Sequence, residues 1–192
     1  MINALLTYSR VTTQAQPMEP VDLNRVVREV VSDLETRVQE TGGRILVGDL
    51  PEVPADRLQM RQLFQNLISN ALKFHRPDKP PVVKVYNVPQ ADFEEMMDGA
   101  GSDCEQRSEE CVHLAVSDNG IGFDEKYLDR IFQPFQRLHG RSVYQGSGIG
   151  LAICRKIVER HNGSLEARSR PGEGATFLIS LPVNQKDQRQ DG

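Results

Sequence analysis

The sequence predicts an α/β domain, and three observations carry that prediction. Stretches with apolar residues at helical spacing alternate with short runs dense in Val, Leu and Ile. Apolar residues make up 38% and charged residues 26% of the chain, the balance of a packed globular protein rather than a disordered one. Its 192 residues suffice for one domain of roughly 100–200 residues with a short appendage. Other classes drop out on similar grounds. No apolar run approaches the ~20 residues of a membrane span, and the N-terminus lacks a signal-peptide layout. A net charge of −4 argues against a general polyanion binder, so neither nucleic acid nor membrane is an expected partner. Cys104, Cys111 and Cys154 are too few and too oddly spaced for a disulfide framework or a zinc knuckle. A reducing, cytoplasmic setting is the expectation.

Residues 1–13 carry Ile2, Leu5 and Leu6 at helical spacing, then Tyr8 and Val11, before Gln14-Ala15-Gln16-Pro17 breaks the pattern. They read as the end of a helix that belongs to something upstream. A helix is predicted over residues 23–41, capped by Asp22 and stopped by Gly42-Gly43. Its set Leu23, Val26, Val27, Val30, Val31, Leu34 and Val38 forms one buried face. A strand follows over residues 44–47, ended by a loop containing Pro51 and Pro54. Asp56 caps a helix running to about Phe74, with Leu63, Phe64, Leu67, Ile68, Ala71 and Leu72 as its core stripe. Strands are predicted over residues 82–88 and 111–117, a short helix over 124–131, and a longer helix over 149–162 closed by Gly163. Two last strands, over 164–169 and 175–181, flank the turn Pro171-Gly172-Glu173-Gly174. Residues 185–192 read as a disordered polar tail.

One stretch stands apart. Residues 87–110 hold eight acids against the single base Arg107, a charge of −7 in a chain whose total is −4. This is an acidic insertion, read as a surface loop or helical hairpin or else as a partner-binding patch.

Three motifs carry chemistry. Asp118-Asn119-Gly120-Ile121-Gly122 follows a buried strand, where a carboxylate can accept a hydrogen bond from the exocyclic amine of a base. Gly120 and Gly122 permit close backbone approach. Taken alone, this is also what a capped turn looks like. Gly146-Ser147-Gly148-Ile149-Gly150-Leu151 opens a helix, whose N-terminal N–H groups favour phosphate. It is neither a Walker loop nor a dinucleotide fingerprint, and a plain hinge has the same composition. Asn66, Asn70 and Lys73 lie at i, i+4 and i+7, one stripe of a helix. Two amides and an ammonium suit a magnesium-bearing phosphate chain, with Asn70 able to ligate Mg²⁺ and Lys73 to neutralise phosphate. A solvated face could also carry them.

In order and spacing the three motifs resemble the GHKL ATP-binding superfamily, and within it the catalytic domain of phytochrome-like sensor histidine kinases. The stretch from Gln62 to Phe74 is similar to the N box, Asp118 to Gly122 to the G1 box, Ile131-Phe132-Gln133-Pro134-Phe135 to the F box, and Gly146 to Leu151 to the G2 box. Gly172-Glu173-Gly174-Ala175-Thr176-Phe177 resembles the closing motif. The resemblance implies a two-layer α/β (α+β) sandwich, a mixed sheet of about five strands backed by three helices, of the Bergerat type. It implies ATP and Mg²⁺ as cofactors. Asp118 would contact adenine with Gly120 and Gly122 beside it, Asn70 would hold Mg²⁺, Asn66 would line the same wall and Lys73 would reach phosphate. Gly146, Ser147, Gly148, Ile149, Gly150 and Leu151 would hinge the lid and cradle phosphates. Thr176 would close the nucleotide set. Phe132 is counted in that set too, although its expected role, with Phe135, is apolar anchoring of the lid. In the lid, over residues 136–145, Arg137 is the candidate for the γ-phosphate, with His139 and Arg141 weaker ones.

In the hydrolysing members of the superfamily a glutamate stands one turn before the magnesium asparagine; here that position is Asn66, which cannot accept a proton from water. This favours a kinase over an ATPase. None of His75, His113, His139 and His161 fits a phosphoacceptor pattern. Residues 1–16 would thus be the end of a dimerisation-hairpin helix and its linker, and residues 17–184 the catalytic domain. The implied partners are the phosphoacceptor hairpin of a homodimeric parent kinase and the receiver domain of a response regulator. Alternatives are a GHKL ATPase, an anti-sigma-type serine kinase and a catalytically silent module of the same fold.

Overall fold

A computed structural model of the chain describes residues 8, 9, 11, 13–97, 110–136 and 148–184. Among these lie seven strands and six α-helices: β1 (Glu19–Asp22), α1 (Leu23–Asp33), α2 (Glu35–Thr41), β2 (Arg44–Val47), β3 (Glu52–Ala55), α3 (Arg57–Lys73), β4 (Val82–Val88), α4 (Gln90–Met96), β5 (Cys111–Asp118), α5 (Leu128–Ile131), α6 (Gly150–Arg160), β6 (Ser164–Arg170) and β7 (Gly174–Pro182). A 3₁₀ turn, Glu125–Tyr127, precedes α5. The main sheet has the order β2-β4-β5-β7-β6, with β2 and β4 parallel and every other pair antiparallel. The helices α1, α3 and α6 cover one face, so the expected two-layer sandwich, five strands backed by three helices, is what forms.

Local chemistry explains the elements. The Asp22 carboxylate accepts from the Arg25 N–H at 3.2 Å and starts α1. The Asp56 carboxylate does the same for Gln59 at 3.1 Å and starts α3. Gly42 takes φ 61° and ends α2. The stripe of α3, from Met60 to Leu72, meets Ile153, Cys154, Ile157 and Val158 of α6 in one continuous core. Residue parity along the strands separates the two faces. Leu114 and Val116 of β5, with Ala175, Phe177 and Ile179 of β7, belong to this core. Ala115 and Leu178 point to the other face.

Four features go beyond or differ from the sequence expectation. The helix over 23–41 breaks at Leu34, whose N–H is shared between the carbonyls of Val30 and Val31. The Pro51 and Pro54 region is not all loop: β3 pairs antiparallel with β1, Pro54 opposite Pro20, and a two-stranded ribbon tolerates prolines that a central strand would not. Within the acidic insertion, α4 docks on the outer sheet face. Phe93 is fully buried and stacks on the His113 ring at 3.9 Å, and Gln90 Oε1 lies 2.7 Å from His113 Nε2. Cys111, at the start of β5, is disulfide-bonded, which the cysteine count did not predict, while Cys154 is free and buried. No described helix is long and apolar enough to cross a membrane.

Candidate functional site

The loop from Asp118 to Gly122 leaves the end of β5 and closes against the C-terminal end of α3. The Ile121 N–H donates to the Phe74 carbonyl at 2.9 Å. Gly120 is needed here because a Cβ would sit 2.4 Å from that same carbonyl oxygen. Gly122 holds φ +60°, and a Cβ there would lie 2.1 Å from the Arg170 carbonyl oxygen. Asn119 fastens the loop from the other side, accepting from the Val82 N–H at 2.8 Å and donating to the Pro80 carbonyl at 3.2 Å.

The Asp118 carboxylate is held by its own turn. Its Oδ1 accepts from the N–H of Gly120 at 2.8 Å and of Ala175 at 3.3 Å. Burial pushes its pKa up to about 6, against the lowering effect of those two N–H groups. Both bonds fall on Oδ1, which leaves Oδ2 as an acceptor for an amino group.

The second wall is built where α6 begins. Ile149, buried and without a side-chain cap of its own, precedes Gly150, so the first N–H groups of α6 have no side-chain acceptor at the cap. The Asn66 amide donates to the Gly150 carbonyl at 3.4 Å. A Cβ on Gly150 would lie 3.7 Å from Asn66 Oδ1 and 4.0 Å from Asn70 Nδ2, so both amides border the helix start. Leu151 is partly buried and packs against the core, so the polar chemistry of this stretch is its backbone. The ammonium of Lys73, one turn beyond Asn70, sits 4.5 Å from the Phe74 ring centroid. The structure thus gathers Asn66, Asn70 and Gly150 at one end, and Asp118, Gly120 and Gly122 at the other, joined through Phe74.

A match to a family model covers residues 55–185, the family described as histidine kinase-, DNA gyrase B- and HSP90-like ATPase. The chain belongs to this family. It is 42% identical over 183 residues to the phytochrome-like protein Cph1 of Synechocystis, covering 95% of this chain but only 22% of that relative's length. The fold superposes on the mycobacterial sensor histidine kinase MprB with a TM-score of 0.67 at 22% identity, covering 88% of this chain and 99% of that one. It superposes on full-length ShkA, solved in complex with AMPPNP, with a TM-score of 0.71 at 25% identity, covering 96% and 35%.

Thr176 and Phe132, both counted in the expected nucleotide set, lie on the outer sheet face and in the core, and for Phe132 the apolar role is the expected one. Thr176 points to the sheet face away from α3, where its hydroxyl meets Ser117 Oγ at 2.9 Å. Strand parity gives the Asp118 side to Ala175 instead, through its N–H. Phe132 is a core residue, edge-on to Phe177 at 6.4 Å, with the Arg155 guanidinium 4.9 Å above its ring. It anchors the chain leading to Phe135, whose N–H donates to the Gly148 carbonyl at 2.9 Å. A cavity of about 390 Å³ borders Asp118, Ala175, Thr176, Arg168 and Arg170 but neither Asn66 nor Asn70, so it lies on the β6–β7 side of the carboxylate. Gly146, Ser147, Arg137, His139 and Arg141 lie outside the described residues. Sequence reasoning missed Phe74 and Asn119 as the supports of the Asp118 loop; the Asn next to Asp in the motif was the available signal.

Proposed function

We propose that this chain is the ATP-binding catalytic domain of a sensor histidine kinase, and that the kinase transfers the γ-phosphoryl group of ATP to a histidine on a dimerisation hairpin and thence to a response-regulator aspartate. The observation that supports it most is the pairing of Asn66 and Asn70 at the start of α6, across Phe74 from a buried carboxylate with a spare oxygen. Asp118 Oδ2 accepts the adenine amino group, and the fixed turn around it selects a base that donates there. Asn66 and Asn70 line the phosphate chain with the first N–H groups of α6, and Lys73 supplies positive charge one turn on. Gly146, Gly148 and Arg137 complete the phosphate end from the lid.

Mg²⁺ fits this donor set. Among the described residues no three His, Cys, Asp or Glu side chains cluster, so the ion would draw one neutral amide oxygen from Asn70 and the rest from phosphate and water. When bound, it neutralises phosphate charge. The chain's own residues orient the nucleotide, and transfer follows from positioning rather than from covalent chemistry. Asn66 cannot take a proton from water, so ATP is held for a protein acceptor rather than hydrolysed. The working setting is the cytoplasm, the parent a homodimer, and this stretch makes no contact with nucleic acid or membrane.

Thermal shift tests the reading. Mg-ATP at a hundredfold excess over Kd should stabilise the chain by about 2.7 kcal/mol. Asn70→Ala should abolish the magnesium-dependent part of that shift and keep the rest. Equal shifts with and without Mg²⁺ in the unmutated chain would remove the role of Asn70. The chain alone, lacking an acceptor histidine, should take up no label from γ-labelled ATP, and steady phosphate release would favour an ATPase.

A further inference from the structure

The ends of α3 and α6 far from the nucleotide walls hold a second assembly of polar groups, which the proposed function does not use. Asp56, Gln59 and His161 are all buried there, at 1%, 5% and 0% exposure. Each has a defined task. His161 Nδ1 donates to the Ile157 carbonyl at 2.7 Å, and its Nε2 accepts from the Asp56 N–H at 3.0 Å. The ring is therefore the neutral Nδ1–H tautomer, and burial holds its pKa below the usual histidine value.

Asp56 spends Oδ1 on the cap of α3 and Oδ2 on a residue before the domain: the Gln16 N–H donates to it at 2.7 Å. Arg160 grips the same residue from the opposite side. Its Nη2 donates to the Gln16 carbonyl at 2.9 Å, while Nη1 donates to Gln59 Oε1 at 3.0 Å and lies 3.4 Å from Asp56 Oδ2. Gln59 Nε2 in turn donates to the Val11 carbonyl at 2.7 Å, and the Val11 side chain is buried in the main core. One turn before Arg160, the Lys156 ammonium donates to the Tyr8 carbonyl at 3.3 Å and lies 4.3 Å over the Tyr8 ring.

Side chains of the domain thus hold the backbone at Tyr8, Val11 and Gln16, and at Gln16 they hold both its N–H and its carbonyl. A plain connector has no need of a buried carboxylate and a guanidinium converging on one peptide. Hydrogen bonds to charged groups are the strong class, and removing the guanidinium would leave the Asp56 charge buried with less to offset it.

We propose that Asp56, Gln59, Lys156 and Arg160 form a docking site for the segment around Tyr8, Val11 and Gln16, and that engagement of this strap is coupled to occupancy of the nucleotide walls. The coupling rests on the nucleotide reading above. Its carriers are the two helices. α3 begins at Asp56 and bears Asn66 and Asn70 toward its other end; α6 begins at Gly150 against those amides and ends at Arg160. The two pack along their length, with the Cys154 thiol 3.8 Å from the Leu63 carbonyl between the two assemblies. A shift of α6 relative to α3 at the glycine end moves Arg160 relative to Asp56. Coupling of this kind must be reciprocal: nucleotide alters the strap and the strap alters nucleotide affinity by the same factor.

Hydrogen exchange on the whole chain, with and without Mg-AMPPNP, reads both halves of the proposal. In the unmutated chain the Gln16 amide should be protected, and Mg-AMPPNP should change exchange in this segment. Arg160→Gln, which keeps helix propensity and length, should speed that exchange by at least about tenfold and make it insensitive to nucleotide. The same variant should shift the AMPPNP Kd by about threefold or more, by reciprocity. Lys156→Ala, farther from the buried carboxylate, should give a smaller change confined to residues near Tyr8, and serves if Arg160→Gln fails to fold. Unchanged exchange near Gln16 or Tyr8 in both variants would overturn the docking. Faster exchange in the variants with an unchanged Kd, together with a strap in the unmutated chain that does not respond to Mg-AMPPNP, would overturn the coupling. Absence of AMPPNP binding to the unmutated chain would instead overturn the nucleotide reading, with it the coupling, and leave the docking result standing.

Discussion

At the carboxylate end of the cleft, the loop from Asp118 to Gly122 is tied to α3, β4 and β7 by hydrogen bonds of 2.8 to 3.3 Å, and a side chain at Gly120 or Gly122 would strike a carbonyl oxygen. At the amide end, Asn66 donates to the Gly150 carbonyl at 3.4 Å, and a side chain at Gly150 would meet only ordinary van der Waals neighbours. The Asp118 loop is therefore fixed from several sides, whereas the start of α6 leaves room for a side chain. On the proposed function, a domain that recognises adenine in every state yet presents phosphate to a separate acceptor would gain from this division.

Substitutions should break the two ends unequally. Gly122→Ala has the largest expected effect: a positive φ and a 2.1 Å clash with the Arg170 carbonyl should cost roughly 3 kcal/mol, read as a melting temperature lower by roughly 5–10 °C. A melt within 1 °C of the unmutated chain, on the order of 0.3–0.5 kcal/mol by the same scaling, would show that the loop is not tightly fixed. Asp118→Ala comes next. Loss of an acceptor for the base amine should weaken ATP by about 10- to 100-fold and erase preference over GTP, as paired titrations would show.

A pH series sharpens the same end. The folded Asp118 carboxyl titrates near 6, above its unfolded value of about 3.8. Ionised, it accepts the amine; protonated, it offers a hydroxyl in its place. ATP affinity should hold above pH 6 and fall by up to roughly tenfold per unit below it. Stability runs the other way, because the raised pKa contributes stability that is present below the unfolded value and lost as pH rises through 6. Affinity that stays flat from pH 7 to 5 would count against Asp118 as the base contact. Gly150→Ala should do least, within about 0.5 kcal/mol in stability, because its contacts at 3.7 and 4.0 Å need no rearrangement. A loss as large as that of Gly122→Ala would erase the contrast between the two ends.

The legible parts of this molecule were those governed by neighbours in sequence. The caps at Asp22 and Asp56, the stop at Gly42, the strands at 44–47 and 82–88, and the core stripe of α3 all follow from residues within one or two turns of each other. The positions of Asn66 and Asn70 on α3 and of Asp118 at the end of β5 were legible because a motif fixes residue types at short spacing. What escaped depends on distant partners. The ribbon of β1 and β3 joins segments about 30 residues apart, and its prolines read as loop. Acids dominate α4, yet it is held by Phe93 stacking on His113 from a later strand. The face that Thr176 takes was not legible, because a motif gives order, whereas strand pairing with Ser117 decides direction. The grip of Arg160 on Gln16 spans 144 positions and leaves no local pattern to read.

Calorimetric titration of the purified chain with Mg-AMPPNP, at pH 7.5 and repeated with Asp118→Ala, bears most directly on whether these two walls form a single adenine nucleotide site. Saturable heat at one nucleotide per chain, strongly weakened in the variant, is the predicted result. Absence of heat in the unmutated chain, or equal binding by both proteins, would contradict it.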